Sequence, residues 1–218
     1  VSRPLTLAVP KGRVLKVLVP LLAKAGYDAS SFLSDDRALV RATACGRLEA
    51  LLLKPDDVPT YVERGVASLG VVGRDVLDEK GSELFRVLDL RVGVCRLAVA
   101  APVGFSAPRG GVLRVATKYP KLALAHYAKK GEQVDVVKLH GSVELGAVTS
   151  LADVIVDLVE TGRTLVENGL EVIEEVSAVS SVVVANRAAW KVDSERLRAF
   201  VASLEAALAA DVEDSKQL

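Results

Sequence analysis

The chain has no methionine, one tryptophan and two cysteines, and only 4% of its residues are aromatic. Cys45 and Cys95 are far apart without a CxxC spacing, and only His126 and His140 could join them. Neither a disulfide framework nor a structural zinc is indicated, and both thiols are expected to be buried. An excess of one charge is missing too. The 28 Lys and Arg balance 28 Asp and Glu without long runs, which excludes an extended nucleic-acid or membrane-binding face. The longest interval without a charge, Leu97 to Pro108, holds two prolines and is too short for a membrane span. Arg3-Pro4 leads directly into a strand-like run without the apolar core of a signal peptide, so a cytoplasmic location is expected. Met, Cys, Asn and Gln are all scarce, a depletion of labile residues met in some thermophiles.

What the chain does have is 218 residues, half of them hydrophobic, mostly Val, Leu and Ala. That is the composition of parallel strands covered by helices, so the expected class is α/β, with one large core or two small ones. Two strand-loop-helix passages stand out. Asp153 to Leu165 is an apolar run carrying Asp153 and Asp157, broken by Glu160-Thr161-Gly162-Arg163-Thr164 before a helical pattern resumes. A glycine, two hydroxyls and the N–H groups of an opening helix suit a phosphate. Asp153 and Asp157, an even number of residues apart on a strand, are expected to share a face and to reach ribose hydroxyls beside it. Such a turn also serves simply to cap a helix. In the second passage, Leu5 to Val9 ends in Pro10-Lys11-Gly12-Arg13, followed by apolar residues at helical spacing up to Gly26. Lys11 and Arg13 around a glycine suit a polyphosphate, or equally a solvated turn.

Further along, Arg37 to Cys45 and Leu48 to Leu53 read as strands, Thr60 to Arg64 as a short helix and Leu69 to Gly73 as a buried strand. Lys54 and Asp75 then sit where strands end, the edge at which open α/β sheets bind ligands. Leu84 to Leu90 and Val92 to Ala101 are apolar runs, and Pro102 to Gly111 is a loop. A fresh alternation follows: strand Leu113 to Ala116, helix Pro120 to Lys130, strand Val134 to Leu139 and a short helix Gly141 to Leu145. Leu170 to Ile173 and Ser181 to Asn186 read as strands. Ser194 is expected to cap an amphipathic helix to Ala210 that presents Leu197, Phe200, Val201, Leu204, Ala207 and Leu208; from Asp211 the tail is expected to fray.

Leu5 to Gly12, Asp57 to Gly65, Leu69 to Val76, Ala116-Thr117-Lys118-Tyr119-Pro120, Gly141-Ser142-Val143-Glu144, Asp153 to Leu165 and Asn168 to Glu174 together resemble the catalytic subunit of ATP phosphoribosyltransferase. They occur in the family's order and cover nearly the whole chain. The resemblance implies the first step of histidine biosynthesis, in which ATP and phosphoribosyl pyrophosphate give N1-(5-phosphoribosyl)-ATP and pyrophosphate with Mg²⁺ held mainly by substrate phosphates. It implies two α/β domains resembling periplasmic binding proteins, with a central cleft and a double hinge crossing. The first would comprise residues 1–93 plus 181–218 on the ATP and pyrophosphate side, and the second residues 94–180 with the phosphoribosyl pyrophosphate loop.

By length the chain is similar to the short form, which works with a regulatory subunit resembling histidyl-tRNA synthetase in a hetero-octamer. Carried over motif by motif, the resemblance gives Glu160, Thr161, Gly162, Arg163 and Thr164 to the 5-phosphate and Asp153 and Asp157 to the ribose. It gives Lys11, Gly12 and Arg13 to the ATP and pyrophosphate side, with Lys54 and Asp75 at its edge, and puts Glu144 near the reacting groups. His140 stands where many members have Asn, and Lys54 where Arg is frequent; Lys lacks the bidentate fork and offers phosphate a point charge. The competing readings are a non-catalytic small-solute receptor and a phosphoribosyltransferase acting on another base.

Overall fold

Leu5–Pro10 (β1) is an apolar strand with four of its last four residues buried, and it lies in the middle of its sheet. The computed structural model describes residues 3–107 and 110–214. After β1 come α1 (Arg13–Lys24), a 3₁₀ turn, β2 (Val40–Ala42) and β3 (Leu48–Leu53). A second 3₁₀ turn leads to α2 (Val58–Glu63), β4 (Leu69–Gly73), α3 (Arg74–Lys80) and β5 (Phe85–Asp89). Next are β6 (Cys95–Pro102), β7 (Leu113–Thr117), α4 (Pro120–Lys129), β8 (Val134–Lys138), α5 (Glu144–Val148), β9 (Val154–Val159) and α6 (Arg163–Glu167). The chain finishes with β10 (Leu170–Val179), β11 (Ser181–Ala185), α7 (Arg187–Val192) and α8 (Ser194–Asp214).

These elements form two units. The first comprises the residues up to Gly93 and those from Ser180 on, and the second runs from Val94 to Val179. The sheet of the first unit has the order β2-β3-β1-β4-β11-β5, with β1 parallel to β3 and β4. β11 is antiparallel to both β4 and β5. The sheet of the second has the order β10-β6-β9-β7-β8, with β7 parallel to β8 and β9. Within each unit the first parallel strand sits between the second and the third. The chain therefore winds to one side and then crosses to the other, which creates a topological switch point at β1/β4 and another at β7/β9.

Helices cover both faces of each sheet. In the first unit Leu15, Leu18 and Leu22 of α1 meet Phe200 and Leu204 of α8 over Leu7, Leu48, Leu69 and Val183. Tyr27 meets the Phe200 ring edge-on at 5.2 Å. The other face carries Val58 and Val62 of α2 and Val76 and Leu77 of α3. In the second unit Tyr119, Ala123 and Tyr127 cover one face from the α4 side, while Ala147 and Leu165 cover the other from α5 and α6. No helix among the described residues is long and apolar enough to cross a membrane.

Several local expectations are corrected. The strand expected from Arg37 to Cys45 shrinks to Val40–Ala42 because the buried Arg41 guanidinium ties back to Asp36 and to the carbonyl of Ser34. β10 extends to Val179, and bulges between Val172 and Glu174 and between Glu175 and Ser177 break the alternation that would have announced it. α3 and α7 were not anticipated; Asn186 caps α7 by accepting from the Ala188 and Ala189 amides at 3.0 and 2.9 Å.

Ser194 is the first residue of α8 rather than its cap, and its hydroxyl accepts from Arg198 at 2.9 Å. The amphipathic face of α8 is as expected, with Leu197, Phe200, Val201, Leu204 and Ala207 buried. The helix continues through Asp214 instead of fraying at Asp211, and the rest of the expected tail, 215–218, lies outside the described residues, as do 108 and 109 of the expected loop. Neither cysteine is buried: Cys95 is half-buried and Cys45 exposed. Hydrogen bonds from Thr43 and then Arg47 bring the Cys45 thiol down to about 7.

Phe200, fully buried between α1 and the sheet, anchors the returning segment. Phe200→Ala is expected to cost about 3–5 kcal/mol, read as a lowered denaturant midpoint. A change under about 1 kcal/mol would mean that α8 contributes little to the core.

Candidate active site

The carboxyl ends of the parallel strands bring together, within each unit, residues that are distant in sequence. In the first unit β1 exits into Lys11-Gly12-Arg13, β3 into Lys54 and β4 into Arg74-Asp75. The Lys11 amide donates to the Leu53 carbonyl at 2.9 Å, which draws the β1 and β3 exits, and so Lys11 and Lys54, side by side. Gly12 has φ 93 and ψ −136, a backbone region closed to residues with a side chain, although a β-carbon there would meet nothing within 4 Å. The constraint is therefore torsional. It lets α1 start at Arg13 after a turn of only two residues.

No acid lies in the first turn of α1, while Lys11, Arg13 and Lys16 are exposed around it. Cations at the positive end of a helix are electrostatically unfavourable unless an anion joins them. Asp75, expected at the same strand-end edge on the ATP and pyrophosphate side, is drawn inward. It is 6% exposed, and its carboxylate folds back over Gly73, where an added β-carbon would clash with Oδ1. The first turn of a helix suits such an acid. Its place is inside the turn.

In the second unit β7 exits into Lys118-Tyr119, β8 into Leu139-His140-Gly141 and β9 into Glu160-Thr161-Gly162. Gly162 sits at φ 75 in the left-handed region and opens α6 directly, with the Thr161 hydroxyl accepting from the Arg163 amide at 3.4 Å. Arg163 pairs with Glu167 at 2.8 Å on the exposed face of this short helix, and the Thr164 carbonyl accepts from Asn168. Asp157 is half-buried near the end of β9, one carboxylate oxygen accepting from the Leu158 amide at 2.8 Å. Glu144 is half-buried at the start of α5, after Ser142 at φ 47. His140 is exposed.

Asp153 is not beside the loop. It precedes β9, four residues and about 13 Å from Asp157 along a strand, and its carboxylate is engaged by Arg114. The Arg114 Nη2 is 2.6 Å from Oδ1, and the Arg114 Nε and backbone amide reach Oδ2 at 3.2 and 2.9 Å. The shared face expected for Asp153 and Asp157 is thus divided between a structural ion pair at one end of the strand and the loop at the other. Arg114 itself escaped the sequence reading, because nothing local marks a partner 39 residues away. Among the described residues no group of three or more His, Cys, Asp or Glu is placed to hold a metal ion. Asp157 and Glu160 offer one or two carboxylates at the β9 exit, the number used by a magnesium ion that arrives on phosphates.

Fold and site define a two-unit open α/β protein with loops at the carboxyl edges of two sheets. A family profile described as ATP phosphoribosyltransferase (HisG) matches residues 54–206. The chain is 51% identical over 95% of its length to an ATP phosphoribosyltransferase of Sorangium cellulosum, covering 98% of that protein. It is 45% identical to one of Pseudomonas paraeruginosa, with 94% of this chain and 98% of that one aligned. Among solved structures it is similar to a chain of the ATP phosphoribosyl transferase (HisG:HisZ) complex from Thermotoga maritima. The TM-score is 0.81 at 33% identity, with 94% of this chain and 99% of that chain covered. The chain belongs to the ATP phosphoribosyltransferase family.

The hydrogen bond from Arg114 holds the Asp153 carboxyl below its ordinary value. A carboxyl depressed in the folded state contributes stability above the unfolded value, near ~4, and loses it as pH falls through the folded one. Asp153→Asn is therefore expected to lower the thermal midpoint at neutral pH and to flatten its decline below about pH 4. An unchanged acid limb would show that the pair does not contribute.

Proposed function

We propose that this protein joins ATP to phosphoribosyl pyrophosphate, giving N1-(5-phosphoribosyl)-ATP and pyrophosphate, the first step of histidine biosynthesis. The observation that carries the reading is that loops bearing the family's motifs stand at the carboxyl ends of the switch strands of both sheets, in a chain whose sequence is of this family throughout. Glu160 to Thr164 bind the 5-phosphate, with Gly162 letting the backbone approach it. Asp157 orients the ribose. Lys11, Gly12 and Arg13 bind on the ATP and pyrophosphate side, with Lys54 as an added point charge. Asp153 is given to the Arg114 pair at the start of β9, and Asp75 to the turn that opens α3.

In the reaction the lone pair of adenine N1 attacks ribose C1, and the bond from C1 to the pyrophosphate oxygen breaks with its electrons leaving on pyrophosphate. The sugar passes through a cationic, oxocarbenium-like state. Asp157 favours that positive charge, while Lys11 and Arg13 stabilise the negative charge on the leaving group. N1 is already unprotonated near neutral pH, so no base is needed for attack; Glu144 accepts the proton later lost from the exocyclic amine. Mg²⁺ would be held mainly by the substrate's phosphate oxygens and water, with Asp157 as the neighbouring carboxylate, and would supply further charge neutralisation.

The same reading includes a regulatory partner of the HisZ type, resembling histidyl-tRNA synthetase, in a hetero-octamer on which full activity depends. A cytoplasmic location belongs with it, since both substrates are pools of the cell interior.

The reaction is tested by absorbance of N1-substituted adenine after mixing the chain with ATP, Mg²⁺ and phosphoribosyl pyrophosphate, with and without the HisZ-type subunit. A rise that grows strongly with the subunit is expected; robust turnover by the chain alone would overturn the dependence, and no rise in either case the reaction. With the subunit present, Arg13→Ala and Asp157→Asn are each expected to lower turnover at least about tenfold, since one lost transition-state contact costs ~3–4 kcal/mol. Turnover within about twofold of the unmodified enzyme would remove that residue from the mechanism.

A further inference from the structure

We propose that Lys118 supplies a cationic contact from the second unit to the pyrophosphate end of phosphoribosyl pyrophosphate, and that Thr117 positions it. This rests on the reaction proposed above and adds a contact that the sequence motifs alone left without a role. Three observations lead to it.

The first is topological. β1 and β7 occupy the same slot, each the first parallel strand of its unit and each between the second and third. β1 ends at Pro10 and β7 at Thr117, so each releases a lysine, Lys11 or Lys118, at the first position beyond the strand. Position at a switch point, and not sequence similarity, makes the two equivalent.

The second concerns how Lys118 is held. Thr117 is fully buried, and its hydroxyl donates to the Val156 carbonyl at 2.6 Å while accepting from the Tyr119 amide at 2.9 Å. One hydroxyl thus pins β7 to β9 and turns the chain into α4. The Lys118 ammonium is 5.9 Å from the centre of the Tyr119 ring, within cation–π range, and that ring is 5% exposed. Lys118 is half-buried, with its root fixed by the Thr117 turn and its ammonium near the Tyr119 ring, so holding it at this edge costs little further entropy.

The third is lateral order along the sheet edge. Thr117 is in register with Val156, which brings Lys118 level with Asp157 across the switch point. The Glu160 to Thr164 loop leaves β9 toward β10, where Leu165 of α6 packs with Leu170. Across the edge the order is therefore phosphate loop, Asp157, Lys118. A ribose held at Asp157 with its 5-phosphate in the loop directs its other phosphorylated carbon, C1, toward β7. The anion on C1 is the pyrophosphate. As the bond to C1 breaks, negative charge accumulates there, and a fixed ammonium is worth more to the departing group than to the bound substrate.

The test uses the chain assembled with its HisZ-type subunit and compares Lys118→Met, Lys118→Arg and Thr117→Val with the unmodified enzyme. Product formation by the unmodified enzyme comes first, because its absence sinks the reaction and not merely this contact. Lys118→Met is expected to lower kcat/KM for phosphoribosyl pyrophosphate about tenfold or more with KM for ATP unchanged, and Lys118→Arg to recover most of the loss. Thr117→Val is expected to show the same split between the substrates.

Calorimetry with inorganic pyrophosphate and with ribose 5-phosphate then locates the contact. Weaker pyrophosphate binding by Lys118→Met with unchanged ribose 5-phosphate binding supports the proposal. Equal weakening of both ligands, weakening of ribose 5-phosphate alone, or a Lys118→Met enzyme within about twofold in kcat/KM overturns it.

Discussion

Each sheet is built outward from its first parallel strand, and most of what the protein can do follows from that constraint. Parallel strands joined by right-handed crossovers leave all their exits on one edge. When the strand that comes first ends in the middle, its two parallel neighbours are reached by connections running in opposite directions, and their exits separate at that point. β1 and β7 are these strands. Their neighbours hold them through backbone ladders and through residues small enough for close layering. Gly146 of α5 is one such residue: a β-carbon there would lie 2.6 Å from that of Ala116 on β7. The chemistry-bearing residues are short loops hung on this frame.

The electrostatics of the two edges differ. Around the start of α1 the side chains are cationic, and the peptide groups of the helix add positive potential. At the β9 exit a half-buried carboxylate stands next to a glycine turn with two threonines. One edge is suited to a polyanion. The other, with its hydroxyls, glycine and carboxylate, has the chemistry suited to a sugar phosphate. The two glycine turns solve a shared problem, a strand becoming a helix within two or three residues, and they do so with different torsions, φ 93 at Gly12 and φ 75 at Gly162.

The sequence made these loops legible because glycine, cations and hydroxyls at a strand exit carry a local signal. The parallel strands and the apolar face of α8 were legible for a related reason: alternation and helical spacing are properties of a single segment. What escaped depends on partners. The pairing of Asp153 with Arg114 joins residues far apart in sequence, so the acid read as a ligand contact. Asp75 has a charge that advertises exposure, and only the fold reveals that its carboxylate is buried over Gly73. The truncation of β2 follows from Arg41 reaching back to Asp36, and the full extent of β10 was hidden by two bulges. Thr117 reads as an ordinary strand residue until its hydroxyl is seen spanning two strands.

The interrupted composition of the first unit has a consequence for how the chain is made. β11 has all five of its residues buried and fills the space between β4 and β5, so that sheet lacks an interior strand until residues beyond the second unit are available. On a ribosome adding ~5–20 residues per second, β4 waits on the order of ten seconds for β11 and α8. The second unit, continuous from Val94 to Val179, has by then emerged whole. Synthesis therefore favours completion of the inserted unit first, and during that interval the unpaired edges of β4 and β5 are the surfaces that a nascent-chain chaperone would have to shield.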